Sequence, residues 1–269
     1  MEHSPAQAPI GIFDSGIGGL TVCKKILEKM PKESIIYFGD TARVPYGSKS
    51  RTTVIRYAKS CASLLIERGV KLLVIACNTA SVFALETLQQ SFSVPVIGVV
   101  GPGARAACKR SRSGRIGVIG TRGMIGTGCY ERKIQQLRED CVVWSKSCPL
   151  FVPFVEEGWT EGKIIEAVAQ VYLADLMNAE IDTLILGCTH YPLLRNVIGK
   201  VMGPSVSLVD SAEETAIEVK DILEGKGWLN HAEQSGEHLF LVSDTPDTFV
   251  KTGEQFLGEQ LTNVQWVDI

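Results

Sequence analysis

The chain carries one pattern of secondary-structure signals twice, and this duplication constrains the fold more than any single motif. Ile10-Gly11-Ile12-Phe13 opens onto a glycine-rich turn, as Ile116-Gly117-Val118-Ile119-Gly120 opens onto a small-residue turn. Val44-Pro45-Tyr46 is echoed by Val152-Pro153-Phe154, and Leu73-Val74-Ile75-Ala76-Cys77-Asn78 by Leu184-Ile185-Leu186-Gly187-Cys188-Thr189. From Gly11 to Gly117, Pro45 to Pro153 and Cys77 to Cys188 the displacements are 106, 108 and 111 residues. Three matches in one order at nearly constant displacement indicate internal duplication of one unit.

Periodicity says what that unit is. Strand-like 34–38 and the continuous apolar run 72–76 alternate with helical spacing over 20–30 and 52–68. In the second helix Ile55, Ala58, Ala62, Leu65 and Ile66 share a face. A strand apolar at every position is covered on both sides, so the alternation predicts parallel sheets flanked by helices. The expected fold class is α/β, with two pseudo-symmetric parallel-sheet domains from internal duplication. Beyond the second cysteine a strand is expected over 206–209. Ser211 and Glu214 form a capping-box signature for a helix to about 224. The tail reads as strands over 239–242 and 264–267 around a helix over 249–257. Because the first half is already a complete unit, the tail is expected to fold back onto it. The expected domains are 1–98 plus 210–269, carrying Cys77, and 99–209, carrying Cys188.

A length of 269 residues suits two domains of this size, and 45% hydrophobic with 21% charged residues supplies ample core. A net charge of −3 gives no reason to expect nucleic acid or anionic lipid as a partner. An anionic substrate would have to be held by local geometry. The apolar runs are far shorter than the ~20 residues of a membrane-spanning helix. Residues 1–9 lack the basic and apolar regions of a signal peptide, so a cytoplasmic protein with no membrane partner is expected.

Eight cysteines without any C-x-x-C pair, and with only His190 close to one of them, disfavour disulfides and a structural zinc site. No metal is expected. Cys23, Cys61, Cys108, Cys129, Cys141 and Cys148 read as small buried hydrophobes. Cys77 and Cys188 differ, because each follows a buried strand at its carboxyl end, where open parallel sheets bind ligands. A helix is expected after each, and a helix N-terminus stabilises negative charge on sulfur. Two thiols on opposite sides of a cleft suit inversion of a carbon bearing hydrogen. One removes the proton from one face, the other returns a proton to the opposite face, and the roles exchange in reverse.

Small polar residues surround these positions. Asp14-Ser15-Gly16-Ile17-Gly18-Gly19 reads as a glycine-permitted turn or as an anion cradle at a helix N-terminus. Its spacing is not G-x-G-x-x-G and no acidic residue serves a ribose, so a dinucleotide is a poor fit. Asp14 has three open readings: a helix cap, a partner for a substrate ammonium, or a partner for a thiol. Tyr46 and Gly47 read as a turn that could also supply a hydroxyl and a backbone donor. Asn78, Thr79, Thr121 and Thr189 lie just past strand ends, where they either cap helices or bind carboxylates. His190 is either structural or a proton support for Cys188. Of Glu156 and Glu157, one is expected to be merely solvated.

Phe13-Asp14-Ser15-Gly16-Ile17-Gly18-Gly19-Leu20, Val44-Pro45-Tyr46-Gly47, Ala76-Cys77-Asn78-Thr79-Ala80 and Gly187-Cys188-Thr189-His190-Tyr191-Pro192-Leu193 resemble the signature motifs of bacterial glutamate racemases, in family order. The resemblance spans nearly the whole chain. It implies two facing α/β domains, no pyridoxal phosphate or metal, glutamate as substrate, a homodimer, and supply of D-glutamate for peptidoglycan. By the same motifs Cys77 resembles the thiol acting on D-glutamate and Cys188 the thiol acting on L-glutamate. Asp14, His190 and Glu156 resemble residues assisting them, and Asp40 matches a further acidic position. Asp14, Ser15, Tyr46, Gly47, Asn78, Thr79, Thr121, Thr189 and His190 match substrate-contacting positions. Aspartate racemases are the nearest competitor, but their second motif continues Cys-Thr-Glu where this chain has Cys-Thr-His. A non-catalytic amino-acid-binding protein would be signalled by loss of one cysteine, and a redox pair by C-x-x-C; neither sign is present.

Overall fold

The computed structural model describes residues 5–269. The chain divides into two compact units, one running to Val99 and resuming over Ala212–Ile269, the other Val100–Ser211. In the first unit the strands are β1 (Ile10–Asp14), β2 (Ile35–Gly39), β3 (Leu72–Ile75) and β4 (Val96–Gly98). Helices α1 (Leu20–Lys29), α2 (Arg51–Ile66) and α3 (Asn78–Ser91) connect them. The second unit contains α4 (Val100–Arg110), β5 (Arg115–Gly120), α5 (Arg122–Ile125), α6 (Cys129–Leu137) and β6 (Val142–Ser147). It continues with α7 (Phe151–Glu156), α8 (Lys163–Asn178), β7 (Thr183–Gly187), α9 (Arg195–Met202) and β8 (Ser207–Asp210). Helix α10 (Ser211–Lys226) leads back to β9 (His238–Val242), α11 (Pro246–Leu257) and β10 (Val264–Trp266).

Every strand pairing is parallel. The first sheet has the order β10-β9-β2-β1-β3-β4 and the second β6-β5-β7-β8. The duplication seen in the sequence is therefore topological: β2-β1-β3-β4 and β6-β5-β7-β8 are the same arrangement. The two tail strands extend the first sheet beyond β2, with Ile35 opposite His238 and Gly39 opposite Val242.

Sequence explains the buried strands directly. β1, β3 and β7 have no exposed position, as expected of apolar strands covered on both faces. Phe13, Phe38, Leu73 and Ile75 form a core with Val54, Ala58, Cys61, Ala62 and Leu65 from α2. The α2 face is rotated slightly from the expected one: Val54 and Cys61 are fully buried, while Ile55 and Ile66 only flank the core. Ser50 starts this helix by accepting the Thr53 N–H at 3.3 Å.

One local correspondence between the halves breaks down. Tyr46 begins a single 3-10 turn, whereas its counterpart Phe154 lies inside α7. Pro153 is tolerated there because it sits in the first turn, where its nitrogen needs no intrahelical partner. The two cysteines also lead into different elements. Cys77 is the N-cap of α3, while Cys188 leads into a 3-10 turn, Tyr191–Leu194, before α9 begins. Ser211 is itself the first residue of α10, and its hydroxyl donates to the Leu186 carbonyl at 3.3 Å.

Candidate functional site

In each sheet the chain leaves the central strand pair in opposite directions. From β1 it crosses to β2 on one side, and from β3 to β4 on the other. The crevice at such a switch point, outside the carboxyl ends of the strands, is where open α/β sheets hold ligands. Asp14 ends β1 and Cys77 follows β3 by two residues. In the second unit Thr121 follows β5, and Cys188 follows β7 directly. Each cysteine thus stands at the switch point of its own sheet.

In the first unit the side chains around Cys77 are tightly set. Its Sγ accepts the Ala80 N–H at 3.5 Å, at the open end of α3, and the residue is 7% exposed. Asn78 and Thr79 are buried in the first turn. The Asp14 carboxylate is fully buried, and its Oδ2 accepts the Gly16 N–H at 2.9 Å, bending the turn back on the strand. Gly19 makes this closeness possible. A Cβ there would stand 2.4 Å from Asp14 Cβ, 2.9 Å from the Tyr37 hydroxyl and 3.0 Å from Ala76 Cβ. Tyr37 donates to the Gly16 carbonyl at 2.8 Å. Burial, then the nearby Asp14 carboxylate, pushes its phenol far above the ordinary range, so it remains a neutral donor. Tyr37 does not stand out in the sequence; an aromatic polar residue within the buried strand Ile35–Gly39 is its only signal.

The second turn of this unit is built on Asp40. Its buried carboxylate accepts Arg43 Nε at 2.8 Å on both oxygens, the Ser243 hydroxyl at 3.0 Å on Oδ1, and a short hydrogen bond from the Tyr46 hydroxyl on Oδ2. The Tyr46 hydroxyl also lies 3.7 Å from Cys61 Sγ. That hydroxyl is therefore engaged within the protein, while Gly47 shares the same short turn. Val44 rests against Gly16, where an added Cβ would meet its Cγ2 at 3.4 Å.

In the second unit a relay of side chains reaches Cys188, which is 6% exposed. Its sulfur lies 3.9 Å from His190 Nδ1, and His190 Nε2 lies 3.0 Å from Glu156 Oε1 at the end of α7. Burial alone would push the imidazole down. The hydrogen bonds to the Cys188 sulfur and the Glu156 carboxylate outweigh it and raise His190 from 6.5 to about 10. Thr189 Oγ1 stands 3.4 Å from the same Nδ1. Thr121 caps α5 by accepting the Met124 N–H at 3.3 Å. Glu157 is exposed one residue past the helix.

Of the remaining cysteines, Cys23 and Cys61 are fully buried, and burial pushes their thiols well up. Cys148 is likewise pushed up to about 12 by burial. Its carbonyl accepts the buried Tyr191 hydroxyl at 2.8 Å, which pins the turn carrying Cys188. Sequence reasoning misses this tie because both partners look like plain core residues. Among the described residues no cluster of three or more His, Cys, Asp or Glu has metal-binding geometry, and no helix is long and apolar enough to cross a membrane.

Residues 10–219 match the model of the Asp/Glu/Hydantoin racemase family. A glutamate racemase of Geobacter metallireducens is 54% identical over 260 residues, 97% of this chain and 96% of that protein. The crystal structure of a glutamate racemase isoform from Bacillus anthracis superposes with a TM-score of 0.95, at 42% identity, covering 98% of each chain. That of a glutamate racemase from Francisella tularensis, in complex with D-glutamate, gives 0.91 at 38% identity, again covering 98% of each.

Proposed function

The chain belongs to the Asp/Glu/Hydantoin racemase family and is an isomerase of the glutamate racemase type, and we propose that it works through two thiols, Cys77 and Cys188, without a cofactor. The observation that carries this reading is the equivalence of the two cysteines, each at the switch point of one of two topologically identical strand sets. A reaction that inverts one carbon and runs in both directions is naturally served by an acid and a base of the same kind, and the duplication offers one cysteine in each unit.

In this reading Cys188 as thiolate removes the α-proton of L-glutamate, and the Cys77 thiol delivers its proton to the opposite face of the carbanion. D-glutamate forms, leaving Cys77 as thiolate and Cys188 as thiol. The reverse reaction exchanges the roles. His190, held by Glu156, keeps positive charge beside the Cys188 sulfur. Asp14 and the open end of α3 serve Cys77. Ser15, Asn78, Thr79, Thr121, Thr189 and the backbone of Tyr46 and Gly47 bind the two carboxylates. Neutral donors suit this task, because they hold an anion without the desolvation cost of buried cations.

The reading extends to a cytoplasmic homodimer supplying D-glutamate for peptidoglycan. Its test is incubation of reduced protein with L-glutamate in D₂O without added cofactor, following optical rotation and α-deuterium. Racemisation with deuterium at Cα of the D product, and inertness of aspartate, are expected. A folded, reduced sample that leaves L-glutamate optically unchanged and unlabelled overturns it. Sedimentation at the monomer mass of 29.3 kDa would remove the dimer alone.

A further inference from the structure

Building on the reading of Tyr46 and Gly47 as substrate-binding, we infer that Ser243 and Arg43 are positioning residues that set the substrate turn through Asp40. Neither belongs to the residues proposed to touch glutamate, and Ser243 comes from the tail, 203 residues away in sequence from Asp40.

The geometry is a clamp closed from two sides. From within the loop, Arg43 Nε straddles both Asp40 oxygens at 2.8 Å, and its guanidinium carbon lies 4.5 Å over the Tyr57 ring. From the tail, Ser243 Oγ donates to Asp40 Oδ1 at 3.0 Å and accepts the Ala42 N–H at 3.0 Å. The next residues repeat the link: Thr41 Oγ1 donates to the Asp244 carbonyl at 2.7 Å and accepts the Asp244 N–H at 2.8 Å. With the carboxylate held by these two donors, its Oδ2 takes the Tyr46 hydroxyl, and the Tyr46 ring packs against Tyr57 at 5.7 Å. The tyrosine anchor fixes the 44–47 turn where Val44 meets Gly16, above the turn that begins with Asp14.

A fully buried carboxylate is costly unless every lone pair is used, and here the donors are divided between the loop and the tail. Loosening one donor lets the carboxylate, and with it Tyr46, sample other positions. The backbone donors of the turn then spread over several orientations. Binding of glutamate suffers, while the Cys77 and Cys188 sulfurs, set against Ala80 and His190, keep their places. Ground-state and transition-state binding fall together, so KM rises and kcat stays.

The experiment is steady-state racemisation in both directions for Ser243→Ala, Ser243→Thr and Arg43→Lys, beside Ser111→Ala as a control. Ser111 loses a comparable hydrogen bond, to Asp182 at 2.6 Å, in the other unit. Ser243→Ala is expected to raise KM about five-fold for both enantiomers, the loss of roughly one hydrogen bond, with kcat within two-fold. Ser243→Thr retains the hydroxyl and restores KM. Arg43→Lys, which exchanges the planar guanidinium held over the Tyr57 ring for a compact ammonium on a flexible stem, raises KM similarly. Ser111→Ala lowers the melting temperature without moving KM. An unchanged KM in both Ser243→Ala and Arg43→Lys, with active wild type, overturns the positioning role and leaves the racemase reading standing. Wild type that fails to racemise glutamate overturns that reading and this inference with it.

Discussion

His190 Nε2 stands 3.0 Å from Glu156 Oε1, while the opposite ring nitrogen faces the Cys188 sulfur. The imidazole is nearly buried and the carboxylate is partly exposed, so charge reaches the sulfur from a group that is itself in contact with water. Glu156→Gln keeps the shape and removes the charge. The His190 midpoint, raised from 6.5 to about 10, is expected to fall by about one unit or more. A raised folded pKa contributes stability that is complete below the unfolded value of 6.5 and lost as pH rises through about 10. The stability gap between wild type and Glu156→Gln is therefore expected to be widest near pH 6 and to close above pH 10. Titration of the His190 ring protons by NMR checks the shift; an unmoved midpoint removes Glu156 from the relay.

Lys71 Nζ lies 2.6 Å from Glu33 Oε2 with both side chains 1% exposed, and it also donates to the Ala6 and Trp228 carbonyls at 2.8 Å. Burial pulls the ammonium below its ordinary range, and Glu33 pulls it back. Removing one partner strands the other charge, so Lys71→Met is expected to cost about 3–5 kcal/mol in urea unfolding. Adding Glu33→Leu should recover part of that loss. If the double variant is no more stable than the single one, the cost lies in the lost carbonyl contacts and in the Asn230 N–H that Glu33 Oε1 accepts at 2.8 Å, not in the stranded carboxylate.

How far the sequence reaches depends on the range of the interaction. Leu72–Ile75 and Thr183–Gly187 are legible because a strand covered on both faces is apolar at every position, and such a run needs no knowledge of its neighbours. The switch-point cysteines are legible because duplication marks equivalent positions. The helix containing Pro153 is not, since Val-Pro-aromatic is equally compatible with a turn and with a first helical turn. Nor does any local signal join Ser243 to Asp40 or Tyr191 to Cys148, because these bonds exist only once the sheets have brought distant segments together. Tyr46 shows the same limit within six residues: its turn is legible, but not that Asp40 takes its hydroxyl.

Gly19 joins fold to chemistry. Gly19→Ala would bring a methyl within 2.4 Å of Asp14 Cβ, and neither Asp14 nor Ala76 sits on a flexible end that can swing aside. Overpacking of this kind costs about 1–3 kcal/mol. The strain falls on the carboxylate proposed to serve Cys77, so turnover is expected to drop at least ten-fold at a temperature where the variant remains folded. Gly69→Ala is the contrast. Its left-handed φ of 73° makes it strained as well, but an added Cβ meets nothing within 4 Å. Equal activity losses at equal stability loss would deny Gly19 any special tie to the site.

The two thiols are best separated by isotope exchange. Cys77→Ala and Cys188→Ala are each expected to lower racemisation by about 10³-fold, within the range of lost acid–base catalysis. Under the two-thiol proposal the remaining thiol still serves one side of Cα. In Cys77→Ala, Cys188 can remove the α-proton of L-glutamate and return a solvent-derived deuteron to the same face, so slow α-deuterium incorporation is confined to L-glutamate. In Cys188→Ala it is confined to D-glutamate. Each variant thus reports which enantiomer its surviving cysteine serves, a distinction that loss of turnover alone does not make. Exchange of the opposite enantiomers would reverse the assignment of the thiols. Racemisation within a few-fold of wild type in either variant would end the two-thiol mechanism, because one face of the carbon would then be served by something else.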